Sequence, residues 1–422
     1  MTAKARRNRA LAAAQNVAID ITPLRVSRNF RLLWTGQAIS NVGRQITIVA
    51  MPFQVFLLTR SSLAVGLLGI AQVIPYVLVS LVAGAWADRF DRRQVLIWAQ
   101  LGLTACSTLL MLGAIEGHPA IFYIYLIAAV ASAISAVDLP ARAATTPNIV
   151  PRQHLAAALS LNFAQFQVAV IAGPAVGGVV IAQFGIAWGY AIDVVTFAAA
   201  IAAAIMLTPQ PVAGVEREPT ALAVARGLKF AWRQKPILGG FTADIGAMVF
   251  GMPRALFPAM AINTFHGGAG VLGLLYAAPG VGAVLGSLAS GFVGRLRHIG
   301  RAVLIGASVW GLGIAGFGLS DRVLWLGLAC LAVAGAADAI SAICRGTMLQ
   351  LASPDNLRGR MSAINSMVVV SGPYLGDFRA GATGTILGAE PALVAGGVAC
   401  VAVSALVAAL MPRMRDYDAQ QG

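Results

Sequence analysis

Eight charged side chains lie inside stretches of sequence that are otherwise apolar. A charge at the centre of a membrane helix costs roughly 2.5–3.5 kcal/mol, so such groups must point inward, pair, or be neutralised by a proton. A buried carboxyl that gains and loses a proton can carry protons, so the five acids are candidates for proton coupling or ion pairing. The eight residues are Asp138, Asp193, Asp244, Asp338 and Asp377, with Arg44, Arg254 and Arg379.

Helical spacing predicts partners for some of these charges. Asp138 and Arg142 are four residues apart on one helix face, which favours an ion pair. Asp338 and Arg345 share the equivalent face of a later helix, seven residues apart. Each group has two interpretations, an ion pair that holds one end of the molecule or a proton carrier.

Two further positions need partners from other helices. Asp377 and Arg379 are two residues apart and cannot face each other, so each must be satisfied elsewhere. For Asp193, structural pairing and proton coupling are both open.

A polar stripe runs along the first apolar stretch, with Gln37, Asn41 and Arg44 at i, i+4 and i+7. Arginine stays charged when buried, so Arg44 needs a protein acid or an anionic cargo. The expected protein partner is Asp244 or Asp377 of the second half, and contact with acidic or catechol-like oxygens of a cargo is the alternative.

The elements that carry these residues are predicted to be membrane helices. The chain is 58% hydrophobic and 11% charged, with a mean hydropathy of +0.79. This composition excludes a single-domain soluble enzyme, a disordered chain and a nucleic-acid reader. About 20 apolar residues span a bilayer. Twelve stretches qualify: Leu32–Leu58, Leu63–Ala87, Val95–Ile115, Ala120–Leu139, Leu155–Ala182, Trp188–Leu207, Ile237–Ile262, Val271–Val293, Ala302–Leu319, Val323–Ile343, Met361–Leu387 and Ala392–Met411.

The basic residues predict the orientation of these spans. Of 30 Lys and Arg, 25 fall in the termini and alternate loops on one side, and two fall on the other. The positive-inside rule then places both termini in the cytoplasm. The predicted organisation is a cytoplasmic arm (1–31), a first six-helix bundle (32–207), a cytoplasmic linker with an amphipathic segment (208–236), a second bundle (237–411) and a cytoplasmic tail (412–422).

The two halves repeat each other. Asn162 and Gly173–Gly177 in the first half match Asn365 and Gly372–Gly376 in the second. Repeated six-span halves are how many transporters build a site at the bilayer midplane. Duplication kept only for packing is the alternative.

The loop between spans two and three carries an ordered set of acids and arginines. The set is Gly84, Asp88, Arg89, Asp91, Arg92 and Arg93. This order resembles the signature loop of the major facilitator superfamily. The resemblance covers the whole chain and implies two pseudo-symmetric six-helix bundles, with this loop gating the cytoplasmic side. In the second-half copy Gly294 replaces the acid, so the first-half gate alone is expected to work fully.

Span five carries a second motif, formed by Gly173, Pro174, Gly177 and Gly178. It resembles the antiporter motif of superfamily exporters, in which glycine permits close helix approach. Residues 24–34 are similar to a bacterial subgroup that contains the enterobactin exporter and macrolide and multidrug efflux pumps. In the superfamily, spans one and five line the cavity, which makes Gln37, Asn41, Arg44, Asn162 and Gln165 cargo candidates.

The resemblance implies a bacterial inner-membrane exporter of small amphipathic molecules, a siderophore or a drug, driven by proton antiport. An importer of a polar nutrient and a non-transporting sensor or scaffold are the alternatives. We expect a monomer whose partners are the bilayer, the cargo and protons. No enzyme activity, metal, cofactor or nucleic acid is expected.

Overall fold

The computed structural model describes residues 20–87, 90–210, 226, 229–289, 291 and 296–418. In these residues the regular structure is helical, apart from one isolated bridge between His298 and Asp418. Eleven of the described helices are long and apolar enough to cross a membrane, which confirms an all-α, multi-pass membrane fold. The long helices are α1 (Arg28–Thr59), α2 (Ser62–Ala87), α3 (Arg92–Glu116), α4 (Ile121–Ile149), α5 (Leu155–Phe184), α6 (Ile186–Met206), α7 (Lys235–Gly251), α8 (Gly268–Ala289), α9 (Ile299–Gly318), α10 (Leu324–Ala352), α11 (Asp355–Leu387) and α12 (Ala389–Leu410).

The predicted count of twelve spans is not confirmed. α11 has the length to cross a bilayer but is not among the eleven helices that qualify. It carries five charged side chains and is the least hydrophobic of the long helices described.

Two helices extend well beyond their predicted spans. α4 continues past Leu139 to Ile149, and α10 continues past Ile343 to Ala352. Apolar content marks where a helix leaves the hydrocarbon, whereas its backbone hydrogen bonds continue into water. These helices are therefore longer than the apolar stretches that predicted them.

The seventh predicted span is not one continuous helix. α7 ends at Gly251, and Pro253 follows, which has no N–H and disfavours helix in the residue before it. The chain then forms a 3₁₀ turn (Arg254–Leu256), a short α-helical turn (Phe257–Ala259) and a π-helical turn (Met260–Thr264).

Helices α1–α6 pack on one another, and α7–α12 do the same. Both ends of the described chain lie at one end of the helices, here called the terminal end, and the opposite end is the far end. The most extensive contacts between the sets join α2 with α11 and α5 with α8.

Glycines bring these pairs into backbone contact near the far end, and we call the two contacts the far-end seams. In the α2–α11 seam, a Cβ on Gly69 would lie 2.6 Å from the Tyr374 carbonyl oxygen. In the α5–α8 seam, a Cβ on Gly273 would lie 2.4 Å from the Pro174 carbonyl oxygen. A hydrogen bond from Leu63 N to Thr385 Oγ1 also joins the sets at this end. Small residues allow this close approach.

The buried apolar residues are distributed unevenly between the two ends. One large cluster includes residues of both sets, among them Phe56 and Leu68 with Leu256 and Leu272. At the terminal end the described buried residues form separate clusters, one in the first set and two in the second. The sets therefore share a core toward the far end.

Candidate functional site

A cavity of about 570 Å³ lies between the two sets, midway along the helices. Helices of both sets form its wall, together with the turn that follows α7. Most of the wall is apolar, with a few polar and charged groups, which is the composition of small-molecule sites.

On the first-set wall, Arg44 approaches a fully buried acid. Its Nη2 lies 3.2 Å from Ser135 Oγ and 3.9 Å from Asp138 Oδ2. Asp138 also accepts a 2.7 Å bond from Arg142 Nε and a 3.0 Å bond from Gln100 Nε2. The predicted Asp138–Arg142 pair is confirmed, and the same carboxylate also serves Arg44.

The predicted partner of Arg44 was wrong. Asp244 and Asp377 were expected, but the nearest acid is Asp138 of the same set. The spacing argument assigned Asp138 to Arg142 alone. A carboxylate has two oxygens with several lone pairs, so it can serve two cations at once.

On the second-set wall, Arg254 stands directly after the break in α7. Its Nη2 donates to Asp377 Oδ2 at 2.9 Å, and its guanidinium carbon lies 5.9 Å from the centre of the Tyr374 ring. At this distance the ring stabilises the cation. The predicted partner for Asp377 on another element is therefore Arg254. Arg379 is satisfied by the carbonyl oxygens of Val249 and Phe250 on α7, as the spacing required.

Sequence reasoning counted Arg254 as a buried charge but did not assign it to the site. The seventh span was treated as one helix, which hides the position of the residue. Gly251 and Pro253, two residues apart, were the available signal, because such interrupted helices often form the binding sites of transporters.

The pairing predicted around Arg345 differs in the structure. Arg345 Nη1 bonds Asp244 Oδ1 at 2.7 Å, across from α10 to α7. Asp338 makes no hydrogen bond or salt bridge within the described part of the chain. Seven residues separate Asp338 and Arg345 by about 10.5 Å along a helix, which is too far for a direct pair.

Asp193 is a buried acid in the cavity wall with hydroxyl partners. Thr47 Oγ1 and Ser107 Oγ donate to its Oδ2 at 2.7 and 2.8 Å. Its Oδ1 has no hydrogen-bond partner among the described residues. The two interpretations of Asp193 both remain predictions, with hydroxyl groups in place of an ion pair.

The predicted cargo candidates divide. Arg44 belongs to the cavity wall, whereas Gln37, Asn41, Asn162 and Gln165 do not. Asn162 donates to Thr146 Oγ1 at 3.4 Å instead. Sequence reasoning missed part of the polar wall, because single hydroxyl and amide groups in apolar helices give little signal; these residues are Thr47, Gln72, Tyr76, Ser107 and Tyr374.

The antiporter-type motif lies where three helices meet. A Cβ on Gly173 would lie 2.4 Å from Gln45 Cβ, and one on Gly177 would lie 3.1 Å from Ile46 Cγ2, both on α1. Gly178 faces α8 across the seam, 2.7 Å from the Ala269 carbonyl oxygen by the same measure. The close helix approach expected of Gly173, Pro174, Gly177 and Gly178 is confirmed.

The signature loop is described in part. Asp88 and Arg89 lie outside the described residues, and Gly84 falls within α2. Arg92 Nη1 donates to the Ala144 carbonyl oxygen at 2.8 Å, within the first set.

Asp91 and Arg93 join α3 to the end of α6. Asp91 caps α3 by accepting from Arg93 N at 2.8 Å, and it also accepts from Gln210 N at 3.1 Å. Arg93 Nε donates to the Ala204 carbonyl oxygen at 3.3 Å. These bonds hold the first set together, and the gating role of the loop remains a prediction.

In the second set, the C-terminal tail contacts arginines at and just before the start of α9. Arg301 bonds Asp416 at 2.7 Å, Arg297 lies 3.6 Å from Asp418, and Met414 is fully buried. Bonds from Arg415 and Arg301 hold the pKa of Asp416 well below its usual range. The tail thus brings acids to Arg297 and Arg301, which follow in sequence the position where Gly294 replaces the acid of the motif.

Comparison with known proteins identifies the family. A family model described as transmembrane secretion effector matches residues 18–421. Relatives include the enterobactin exporter EntS of Citrobacter koseri, 28% identical over 404 residues with 96% of each chain covered. EntS of Salmonella typhimurium is 26% identical over 406 residues, covering 96% of this chain and 97% of that one.

Solved structures share the fold. The nucleoside transporter NupG superposes with a TM-score of 0.70 at 14% identity, covering 91% of this chain and 99% of that chain. A bacterial homologue of the iron transporter ferroportin gives 0.69 at 15% identity, covering 92% and 98%. The chain therefore belongs to the transmembrane secretion effector family, and it is a secondary transporter of the major facilitator fold rather than an enzyme.

Proposed function

We propose that this protein exports small amphipathic molecules, siderophores in particular, across the bacterial inner membrane by alternating access and proton antiport. The observation that carries the proposal is the pair of arginines, Arg44 and Arg254, on opposite walls of one cavity among tyrosine rings. The name of the EntS relatives supports a siderophore as cargo.

The cargo class follows from the chemistry of the wall. A guanidinium is planar and presents several donors, so it binds ligands with adjacent oxygens. Tyr76, Tyr276 and Tyr374 add aromatic surface on which rings can stack. A siderophore combines oxygen-rich groups with apolar surface and matches both features, and the cavity volume falls in the range of small-molecule sites.

The same proposal assigns a conformational state. The 25-to-2 distribution of basic residues supports cytoplasmic termini, so the terminal end faces the cytoplasm. The far-end seams and the shared core then close the outer side, and the separate clusters at the terminal end are those expected of an inward-facing state. The bilayer, the cargo and protons are the proposed partners of a monomer.

The test uses purified full-length protein in proteoliposomes with an imposed pH gradient. A catechol siderophore should move opposite to the proton flow. Arg44→Lys and Arg254→Lys keep the charge but lose the planar fork, and each should weaken siderophore transport about tenfold, the effect of losing about 1.4 kcal/mol. Arg60→Lys, at the far-end turn outside the cavity wall, is the matched control. Movement of siderophore with the proton flow would instead identify an importer, and no movement of any solute would favour the sensor or scaffold.

A further inference from the structure

We infer that Asp377 is the carboxylate at which the cargo and a proton exclude each other, and that the cargo binds there through neutral, adjacent hydroxyl groups such as those of a catechol. This inference rests on the export proposed above and assigns its coupling to one residue.

The two oxygens of Asp377 have different surroundings. Oδ2 accepts from Arg254 at 2.9 Å, whereas Oδ1 accepts no hydrogen bond within the described residues. The Asp377 side chain is 13% exposed and Arg254 is 28% exposed, and both belong to the cavity wall. Oδ1 itself is buried, so a cargo in the cavity meets the Arg254 guanidinium and the exposed part of the Asp377 side chain, which lie side by side.

Adjacent hydroxyl groups match this arrangement. One hydroxyl oxygen can accept from Arg254 while its neighbour donates to the carboxylate of Asp377. The donation requires the ionised carboxylate, because a protonated carboxyl offers an O–H in place of one acceptor. Cargo and proton therefore compete, and binding of one releases the other.

A permanently anionic group would give the opposite coupling. It would pair with Arg254 in place of Asp377. The loss of this cation favours the protonated form of the Asp377 carboxyl. Cargo and proton would then bind together and travel in the same direction. Antiport therefore requires that the cargo group at the Arg254–Asp377 pair be a neutral hydrogen-bond donor.

Asp377 also lies in the α2–α11 seam. A Cβ on Gly66 would lie 2.9 Å from the Asp377 carbonyl oxygen, and one on Gly69 would lie 3.5 Å from Asp377 Cβ. Parting of this seam would expose the carboxyl to the outer side, where protons enter. When the seam is closed, as here, the same residue faces the cavity.

The other ionisable groups around Asp377 do not duplicate its role. α2 carries one titratable side chain, Tyr76, which faces Tyr374, and α12 contributes Cys400 beside Arg379. Among the described residues that face Asp377, the titratable and charged groups are Arg254 after α7, Tyr276 on α8, and Tyr374 and Arg379 on α11.

The experiment measures binding and transport of a neutral catechol amide, N-methyl-2,3-dihydroxybenzamide, by the full-length protein. In the wild type, binding should weaken up to tenfold per pH unit as the carboxyl becomes protonated, and a pH gradient should drive uptake into inside-out proteoliposomes. Asp377→Asn keeps an acceptor oxygen but cannot titrate. It should bind the amide independently of pH and exchange it across the membrane, with gradient-driven accumulation lost.

Two further variants keep the outcome decisive. Asp377→Glu should retain coupling with a shifted pH midpoint of binding. This variant provides the test if Asp377→Asn does not fold. Glu390→Gln removes an acid outside the cavity, hydrogen-bonded to Thr264, and should leave coupling intact. Coupled transport by Asp377→Asn, an unchanged midpoint in Asp377→Glu, or wild-type export of siderophore without binding of the amide would overturn the inference. Absence of any siderophore export by the wild type would instead overturn the proposed function.

Discussion

The two walls of the cavity each hold an arginine and an aspartate, but the two acids differ in how completely they are used. Asp138 is fully buried, bonded to Arg142 and Gln100 and approached by Arg44. Asp377 has one arginine partner and a partly exposed side chain in the cavity wall, and its buried Oδ1 accepts no hydrogen bond among the described residues.

This difference indicates different roles for the two acids, one that holds neighbouring side chains in place and one that exchanges its partners. A buried carboxylate with every oxygen satisfied is costly to remove, because its partners would be left as unpaired charges. A partly exposed carboxylate with a single arginine partner in a cavity wall can change partners with less disturbance of its surroundings. The first wall is therefore suited to hold Arg44 in place, and the second wall is suited to bind and release.

Removal of the acids should give the largest contrast between the walls. Asp138→Asn leaves Arg142 and Arg44 without their carboxylate and should lower the free energy of unfolding by about 3–5 kcal/mol. Asp377→Asn should cost less, because Arg254 retains the Tyr374 ring and partial exposure. Thermal unfolding of both variants in one detergent measures the difference, and equal losses would contradict the division of roles.

The seams provide a second and smaller test. An alanine at Gly69 or at Gly273 meets a carbonyl oxygen at 2.6 or 2.4 Å, so each substitution should destabilise the closed far end by about 1–3 kcal/mol. Gly270→Ala is the matched control, because nothing lies within 4 Å of a Cβ there.

Only the α2–α11 seam contains Asp377, so only Gly69→Ala should also shift the pH dependence of catechol binding. Binding titrations from pH 5 to pH 8 on both seam variants measure this. The same shift in Gly273→Ala would show that Asp377 responds to seam opening in general rather than to its own neighbours.

The smallest effect is expected at the tail. Because Arg415 and Arg301 hold the pKa of Asp416 below its ordinary value of 3.8, the ionised pair stabilises the fold above that pH and is lost as pH falls through the lower folded value. Asp416→Asn should lower the melting temperature slightly at pH 7, and high salt should remove the difference because the pair is exposed. Cargo binding should not change. A difference that survives high salt would show that the tail acts through packing of Met414 instead.

The elements of the fold were predictable, while much of the site was not. Long apolar runs determine membrane helices, and Gly173 and its neighbours correctly indicated close packing. Partners four residues apart on one helix follow from spacing, so the Asp138–Arg142 pair was predicted, whereas the seven-residue spacing of Asp338 and Arg345 misled. Partners on different helices depend on rotation and depth, so Asp138 for Arg44 and Asp244 for Arg345 were not. The break at Pro253 was readable, but its consequence for Arg254 required the packed structure.

The far-end seams have a consequence for how fast the molecule can change state. Side chains that interdigitate must find common rotamers before two helices can separate or rejoin, and their ordering costs entropy. Gly66, Gly69, Gly273 and Gly381 have no side-chain torsions to order, and they meet bare backbone. Opening and closing of the seams therefore change the side-chain entropy little. The activation barrier then comes mainly from the rigid-body motion of whole helices. Such seams favour rapid, repeated transport cycles over strong stabilisation of any one conformational state.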